Sequence, residues 1–258
     1  QGANVRQRGE DVSVGTVVLK AGRLLDAAAL ACAVSVGHGQ ARIHPRPQVG
    51  IITTGDELVS PGDRPRPGQV PDSNGIMLTA LVAQAGGTLV VRTRAKDDPD
   101  ALRARLETWP QVDLIVTAGG ISEGAYEVVR QAFTSPTMRF HHVRQQPGGP
   151  QGVGTFEVHG RQIPVLCLPG NPVSAFVCFH LYVAGAIGMM ATRRTDSRPR
   201  RHDVVVSAGW SSPVGKTQFT PVSLLASTVA PVHRVVSGSP LIASLPQADG
   251  LAIVPAGI

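Results

Sequence analysis

Two carboxylates, Asp56 and Glu57, follow a glycine at the end of a short apolar run in "VGIITTGDEL". Adjacent acids at the mouth of a strand are hard oxygen donors that can hold Mg²⁺ or orient a water or an oxyanion. Asp97 and Asp98 stand in the same relation to "TLVVRTRA", where capping a following helix is an equally available use. Two more loops, "TAGGISEG" and "LPGNP", come directly after the apolar runs ending near Val116 and Cys167. Glycine lets backbone N–H groups approach a ligand closely, and a helix N-terminus favours anions. One glycine loop after a strand is well explained as a turn. Three of them after three strands imply a ligand that carries phosphate or another oxyanion.

Other chemistry lacks support. His141 and His142 are neighbours on an expected strand and point to opposite faces, which argues against a shared metal site. His180 lies within an apolar helix and reads as a core histidine. Ser174 lacks the G-x-S-x-G setting of a hydrolase nucleophile. "GGISEG" is neither a Walker A loop nor G-x-G-x-x-G, so the usual signatures of nucleotide hydrolysis and dinucleotide binding are missing.

The elements that must position these residues alternate regularly from Pro47 onward. "VGIITTG" is a strand buried on both faces, and "DSNGIMLTALVAQAGG" carries Met77, Leu78, Leu81, Val82 and Ala85 at helical spacing before a glycine stop. "TLVVRTRA" is a strand, "DDPDALRARLETW" a helix with acids at its positive end, "VDLIVTAGG" a strand and "YEVVRQAF" a helix. "MRFHHVRQQPG", "GVGTFEVHG" and "RQIPVLCLPG" are further strands. The last leads through Asn171 as N-cap and Pro172 as first helical residue into "VSAFVCFH". This is the pattern of an open, mostly parallel α/β sheet with helices on both faces, whose ligands bind outside the carboxyl ends of the strands.

The flanks differ. Residues 1–46 hold a strand-like piece, "GTVVLKAG", and an alanine-rich helix, "LLDAAALACAVSVG", and are expected to form a partial N-terminal domain. The α/β domain spans 47–192, and the arginine-rich 193–203 is a polar, proline-containing linker. Residues 204–258, with "HDVVVSAGW", "FTPVSLLA", "HRVVSGS" and "GLAIVPAGI", form a small β domain.

Composition removes several classes. The chain has 258 residues and a formal charge of +6, but its arginines are scattered and few aromatics accompany them, so stacking platforms for nucleic acid are poorly supplied. Cys32, Cys167 and Cys178 are odd in number, have no CxxC spacing and lie among apolar residues, as reduced core thiols do. The most apolar run, Val173 to Met190, carries His180 and small residues and fits a buried helix better than a membrane span.

Taken in order, "VGIITTGDEL", "GQVPDSNGIML", "DDPDALRARL", "TAGGISEGAYEVV", "LPGNPVSAF" and "GSPLIASLPQADGLAIVPAG" resemble the molybdopterin molybdenumtransferase family, which includes the E domain of gephyrin. The upstream "VRQRGEDVSVGTVVLKAG" is similar to it as well. The resemblance implies a cytoplasmic enzyme of molybdenum cofactor synthesis that takes adenylylated molybdopterin and molybdate, with Mg²⁺, and releases AMP. It implies a homodimer, a possible molybdopterin adenylyltransferase as partner, and neither a nucleic acid nor a membrane. By motif it assigns Asp56, Glu57, Asp97 and Asp98 to catalysis, the first two also to the metal. It assigns substrate binding to Asp11, Thr54, Gly55, Ser73, Asn74, Gly119, Gly120, Ser122, Gly124, Pro169, Gly170, Asn171, Pro172 and Ser174.

The sequence departs from the family pattern at three positions. Ala125 stands where an aspartate is usual, with Glu127 two residues on, and "QPGGP" places Gln146 and Gly149 at the two lysine positions of "KPGKP". The N-terminal segment that precedes this pattern in the family is not in the sequence given. Losing a carboxylate and two cations from a site built on charge complementarity favours, as a second reading, a ligand-binding scaffold with impaired catalysis. A third reading is the sister adenylyltransferase, which shares the α/β domain but is disfavoured by the β-rich tail.

Overall fold

The computed structural model describes residues 5–122, 127–192, 201–232 and 242–257. The chain divides into two compact units, Gln1–Pro45 and Arg46–Ile258. In the first, helix α1 (Ala27–Ser35) starts at Asp26, whose Oδ1 accepts the Ala29 N–H at 2.8 Å. "GTVVLKAG" is irregular rather than the expected strand. A strand persists only where a neighbour pairs with its N–H and C=O groups, and no described segment forms a ladder with residues 15–22.

The second unit begins with β1 (Gln48–Thr54), the short pair β2 (Leu58–Val59) and β3 (Val70–Pro71), then α2 (Ser73–Gln84) and β4 (Thr88–Ala95). It continues with α3 (Pro99–Leu106), β5 (Leu114–Ala118), α4 (Val128–Ala132), β6 (Arg139–His142), β7 (Gln145–Gln146), β8 (Pro150–Val158) and β9 (Arg161–Leu168). Helix α5 (Pro172–Cys178) runs through a π turn at Phe179–Val183 into α6 (Ala184–Thr192). Six strands form one sheet in the order β4-β1-β5-β9-β8-β6. The first four are parallel, and β8 and β6 extend the sheet antiparallel.

Alternation along the strands builds a core on each face. Leu114, Val116 and Ala118 of β5 pack with Leu78, Leu81 and Val82 of α2 and with Phe179, Val183 and Ile187. Ile115 of the same strand joins Leu102 and Leu106 of α3 and Val128, Val129 and Ala132 of α4 on the other face. The helices therefore cover both faces, as the alternation of the sequence implies. Glycine is required at Gly50 by packing, because a Cβ there would sit 2.2 Å from the Trp109 ring, which covers β1 and donates from Nε1 to Thr93 Oγ1 at 3.1 Å. The 21-residue helix Pro172–Thr192 is long and apolar enough to cross a membrane by composition. Phe179, Val183 and Ile187 on it are fully covered by the core, so one face of it packs as a core helix does.

All three cysteines are free, but only Cys167 and Cys178 are core thiols; Cys32, on the short helix α1 of the first unit, is half-buried rather than in the core as expected. Burial pushes the Cys167 thiol up to about 12 and the Cys178 thiol up to about 11, which leaves both unreactive near neutrality. His180 contacts Phe176 edge-on at 4.5 Å, and burial lowers its pKa, as expected of a core histidine.

After the helix come β10 (Val205–Val206), β11 (Thr217–Leu225), β12 (Thr228–Pro231), a 3₁₀ turn at Ile242–Gln247 and β13 (Gly250–Val254). They form a second sheet in the order β10-β12-β11-β13, and β7 adds to it by pairing with β11. The segment "MRFHHVRQQPG" thus splits, giving β6 to one sheet and β7 to the other. "HRVVSGS" and residues 193–200 lie outside the described residues.

Candidate functional site

The carboxyl ends of β4, β1, β5 and β9 open onto one cleft of about 390 Å³. It is lined by Thr54, Gly55, Glu57 and Leu58 after β1, Asn74 of α2, Asp97 after β4, Gly119, Gly120, Ile121 and Ser122 after β5, and Glu127 before α4. Pro169, Gly170 and Asn171 after β9 and Pro150 at the start of β8 complete it. The three glycine loops picked out by sequence thus meet in space.

Local chemistry explains why they meet. Asp72 caps α2 through Oδ1, which accepts the Gly75 N–H at 2.9 Å, while its Oδ2 accepts the Thr53 hydroxyl at 2.8 Å. One buried carboxylate therefore ties the end of β1 to the start of α2. Asn74 donates from Nδ2 to the Gly170 carbonyl at 2.7 Å, joining α2 to the loop after β9. Asn171 caps α5 by accepting the Ser174 N–H at 3.1 Å, with Pro172 at the first helical position. The Ser174 hydroxyl turns back to the same Oδ1 at 3.3 Å.

The "AGGIS" loop is sterically fixed. Gly119 and Gly120 have φ of +97° and +65°, and a Cβ on either would lie within 3 Å of Thr54 Oγ1. Gly170 passes so close that its Cβ would be 3.3 Å from Gly119 Cα. Backbone-to-backbone contact of this kind brings the two loops together at the cleft, with the Gly119 N–H donated to the Leu168 carbonyl at 3.1 Å. Thr54 Oγ1 and Asn74 Oδ1 are buried with no hydrogen-bond partner among the described residues. Both belong to cleft residues, and buried polar atoms of this kind call for a ligand or water.

The acids divide by function. Asp98 caps α3, accepting the N–H groups of Asp100 and Ala101 at 3.1 and 3.0 Å, and does not line the cleft. Asp97 does line it. Partial burial, then the charges of Asp56, Glu57 and Glu127, hold its carboxyl above the usual range. Asp56 accepts the Asp97 N–H at 3.4 Å and lies beside the cleft rather than in its wall. The Glu57 carboxylate folds over Gly55, where a Cβ would sit 2.5 Å from it.

Among the described residues no three His, Cys, Asp or Glu side chains are grouped to hold a metal by themselves. Glu57, Asp97 and Glu127 around one cleft, with one of them already resisting ionisation, nonetheless fit Mg²⁺. That ion commonly takes one or two carboxylates and completes its shell with phosphate oxygens and water.

Of the other residues assigned by motif, Ser73 begins α2 and Pro172 begins α5, neither in the cleft wall. Asp11 is an exposed residue of the first unit. Gly124 and Ala125 lie outside the described residues. Leu58, Ile121 and Pro150 line the cleft without having been singled out, since each is an apolar residue next to a motif and carries no chemical signal of its own.

An open, mainly parallel α/β sheet whose glycine loops and carboxylates share one carboxyl-end cleft is the arrangement of an α/β ligand-binding domain. Residues 50–188 match the family model described as "Probable molybdopterin binding domain". The chain is 42% identical to molybdopterin molybdenumtransferase 2 of Mycobacterium tuberculosis over 226 residues, covering 84% of this chain and 55% of that one. It is 32% identical to molybdopterin molybdenumtransferase 1 of the same organism, covering 99% and 62%. A solved molybdopterin biosynthesis moeA protein from Pyrococcus horikoshii superposes with a TM-score of 0.78 at 28% identity, over 96% of this chain and 60% of that one. The chain belongs to the molybdopterin molybdenumtransferase family, and it spans little more than half the length of these curated relatives.

Proposed function

We propose that the chain acts in molybdenum cofactor synthesis, binding adenylylated molybdopterin in the described cleft, cleaving its phosphoanhydride with water to release AMP, and inserting molybdate at the pterin dithiolene. The observation that carries this reading is the meeting of Glu57, Asp97 and Glu127 with the glycine loops after β1, β5 and β9 in one cleft. The glycine turn at Gly119–Gly120 lets a phosphate approach the backbone closely, and the start of α5 after Asn171 presents the positive end of its dipole. Thr54 Oγ1 and Asn74 Oδ1 offer the ligand two polar contacts that the described residues leave unfilled. Glu57 and Asp97 are the carboxylates that would hold Mg²⁺ between them and the ligand's phosphates. Bound there, the ion would supply charge neutralisation of the anhydride and its leaving AMP. Glu57 and Asp97 act through charge and position. Their part is to orient, and to make phosphate binding depend on the cation. Cytoplasmic location and a homodimer are in keeping with the family, as is an adenylyltransferase that supplies the substrate.

Anaerobic incubation with adenylylated molybdopterin and Mg²⁺, with and without molybdate, tests the reading. Molybdate-dependent AMP release is expected, and Glu57→Gln should abolish it without unfolding the chain. Substrate bound with no AMP released would instead favour the impaired scaffold, the reading that rests on Ala125, Gln146 and Gly149. AMP joined to molybdopterin from ATP would favour the adenylyltransferase.

A further inference from the structure

Pro150 enters the cleft wall directly after a tight turn, residues 147–149, between β7 and β8. That turn is wrapped around a sulfur atom. Cys178 Sγ accepts the Nε2 groups of Gln151 at 2.9 Å and of Gln145 at 3.5 Å, and the thiol donates to the Gly148 carbonyl at 3.8 Å. The same two amides hold the backbone of the turn. Gln151 Nε2 donates to the Gly148 carbonyl at 2.7 Å, and Gln145 Nε2 to the Pro147 carbonyl at 3.0 Å. Gly148, with φ of +85°, has no room for a Cβ, which would run into Cys178 Sγ. Gln145 Oε1 accepts the Tyr182 hydroxyl, so both ends of this buried amide are used.

Burying amides is costly unless their donors and acceptors are met, and a fully met polar cluster fixes one arrangement of the groups around it. Here the groups around it belong to two walls of the cleft. Helix α5, only seven residues long, carries Cys178 at its end and the Asn171 cap at its start, where Gly170 and Asn171 line the cleft. The π turn that follows Cys178 brings Tyr182 against Gln145; π turns inside helices recur at functional sites. On its other side the turn is anchored by backbone. Gln145 and Gln146 pair with Thr217 and Gln218 of β11, and the Thr217 N–H donates to the Arg144 carbonyl at 3.0 Å. With the strand held there, the side-chain cluster decides how closely the turn approaches α5.

We propose that Gln145 and Cys178 are positioning residues of this site, setting the separation between the Pro150 wall and the Gly170–Asn171 wall of the cleft. Neither lines the cleft, and neither touches the ligand or moves a proton. They act through the turn that delivers Pro150. The proposal rests on the reading of the cleft as the ligand site, and it adds the device that holds its width. Gln145→Met keeps the length of the side chain and removes its hydrogen bonds. Cys178→Ala removes the central acceptor, whereas Cys178→Ser keeps both an acceptor and a donor.

Calorimetry on the whole chain with AMP plus Mg²⁺ and with adenylylated molybdopterin, for the parent and these three variants, tests it. Ile163→Val is the control for plain loss of packing, since Ile163 is buried near the start of β9, at the end of that strand away from the cleft. Gln145→Met and Cys178→Ala should bind at least one of the two ligands about tenfold more weakly, and Cys178→Ser should stay within about threefold of the parent. Ile163→Val should melt lower and bind as the parent does. Where Gln145→Met does not fold, the contrast between Cys178→Ala and Cys178→Ser decides alone. Unchanged affinities in Gln145→Met and Cys178→Ala, an equal loss in Ile163→Val, or Cys178→Ser as weak as Cys178→Ala would overturn the proposal. Weakened binding in the variants of a parent that releases no AMP keeps it and removes the enzymatic reading. Molybdate-dependent AMP release by a parent whose affinities the variants leave unchanged does the reverse, and a parent that binds neither ligand overturns both.

Discussion

Asn74 reaches across 96 positions of sequence to donate a 2.7 Å hydrogen bond to the carbonyl of Gly170, fastening the start of α2 to the loop that opens α5. Both residues line the cleft, so the bond holds two of its walls at a fixed separation. Asn74→Ala leaves the Gly170 carbonyl without this donor and should cost about 1–2 kcal/mol, lowering the melting temperature by about 2–5 °C. AMP affinity should fall several-fold in the same variant. A variant that melts and binds like the parent would mean that the bond does not set the cleft width.

Asp97 should make the ligand-free chain less stable as pH rises. Its folded-state pKa lies above the ordinary 3.8 through partial burial and the charges of Asp56, Glu57 and Glu127. Between that ordinary value and the raised one, the folded chain binds more protons than the unfolded chain, so stability falls with rising pH across this window. Asp97→Asn should therefore raise the melting temperature near neutral pH and flatten its acid-side dependence. The same variant should lose the Mg²⁺-dependent part of AMP binding. Melting curves from pH 3 to 8 with and without Mg²⁺ and AMP check both halves.

Gly119 and Gly120 carry positive φ and have Thr54 within 3 Å of where a Cβ would lie. Alanine at either position adds backbone strain of about 1–3 kcal/mol before any clash with Thr54 is counted. Each variant should melt several degrees lower and bind AMP poorly. Gly160→Ala is a control of the same backbone type, with φ of +70° and nothing within 4 Å of its Cβ, and it should lose stability while keeping affinity.

How much of this could be read from sequence depends on the element. Helix α2 and strands β1, β4 and β5 were legible because Leu78, Leu81 and Val82, and the apolar runs beside them, keep their period without interruption. The three glycine loops were legible as a set because a parallel sheet brings carboxyl ends to one edge. Asp97 and Asp98 were not separable, since only backbone direction decides that one carboxylate caps α3 and its neighbour faces the cleft. "GTVVLKAG" carried a strand's composition without a ladder partner, and partner availability is not a local property. The packing of the His142 ring against Gly149 depends on an antiparallel register, which no spacing within either segment reveals.

Separating the acids by variant gives a direct contrast. Asp98→Ala removes a cap that accepts two N–H groups and should cost about 1 kcal/mol of stability. AMP release should stay within about threefold of the parent, since a cap is remote from the phosphates. Glu57→Gln should show the opposite pattern, with an unchanged melting temperature and no measurable turnover. Equal loss of turnover in both variants would return Asp98 to the chemistry.

The impaired-scaffold reading invites restoring an aspartate at 125 and lysines at 146 and 149, but the third change is not neutral. Any Cβ at 149 collides with the His142 imidazole, whose Nε2 would be 2.5 Å away, so Gly149→Lys must displace one basic group to introduce another. Gly149→Lys alone should therefore lower stability and leave phosphate affinity no better than in the parent. The double variant Gly149→Lys with His142→Ala should recover the lost stability, because the clash is gone and one cation remains at the corner. A cycle of the two single variants and the double, read by melting temperature and phosphate affinity, isolates this coupling. Additive effects would mean that the ring and the glycine are independent. Ala125→Asp with Gln146→Lys leaves Gly149 and His142 intact and is the cleaner test of whether the missing charges limit AMP release. A rise of about tenfold or more is expected where they do.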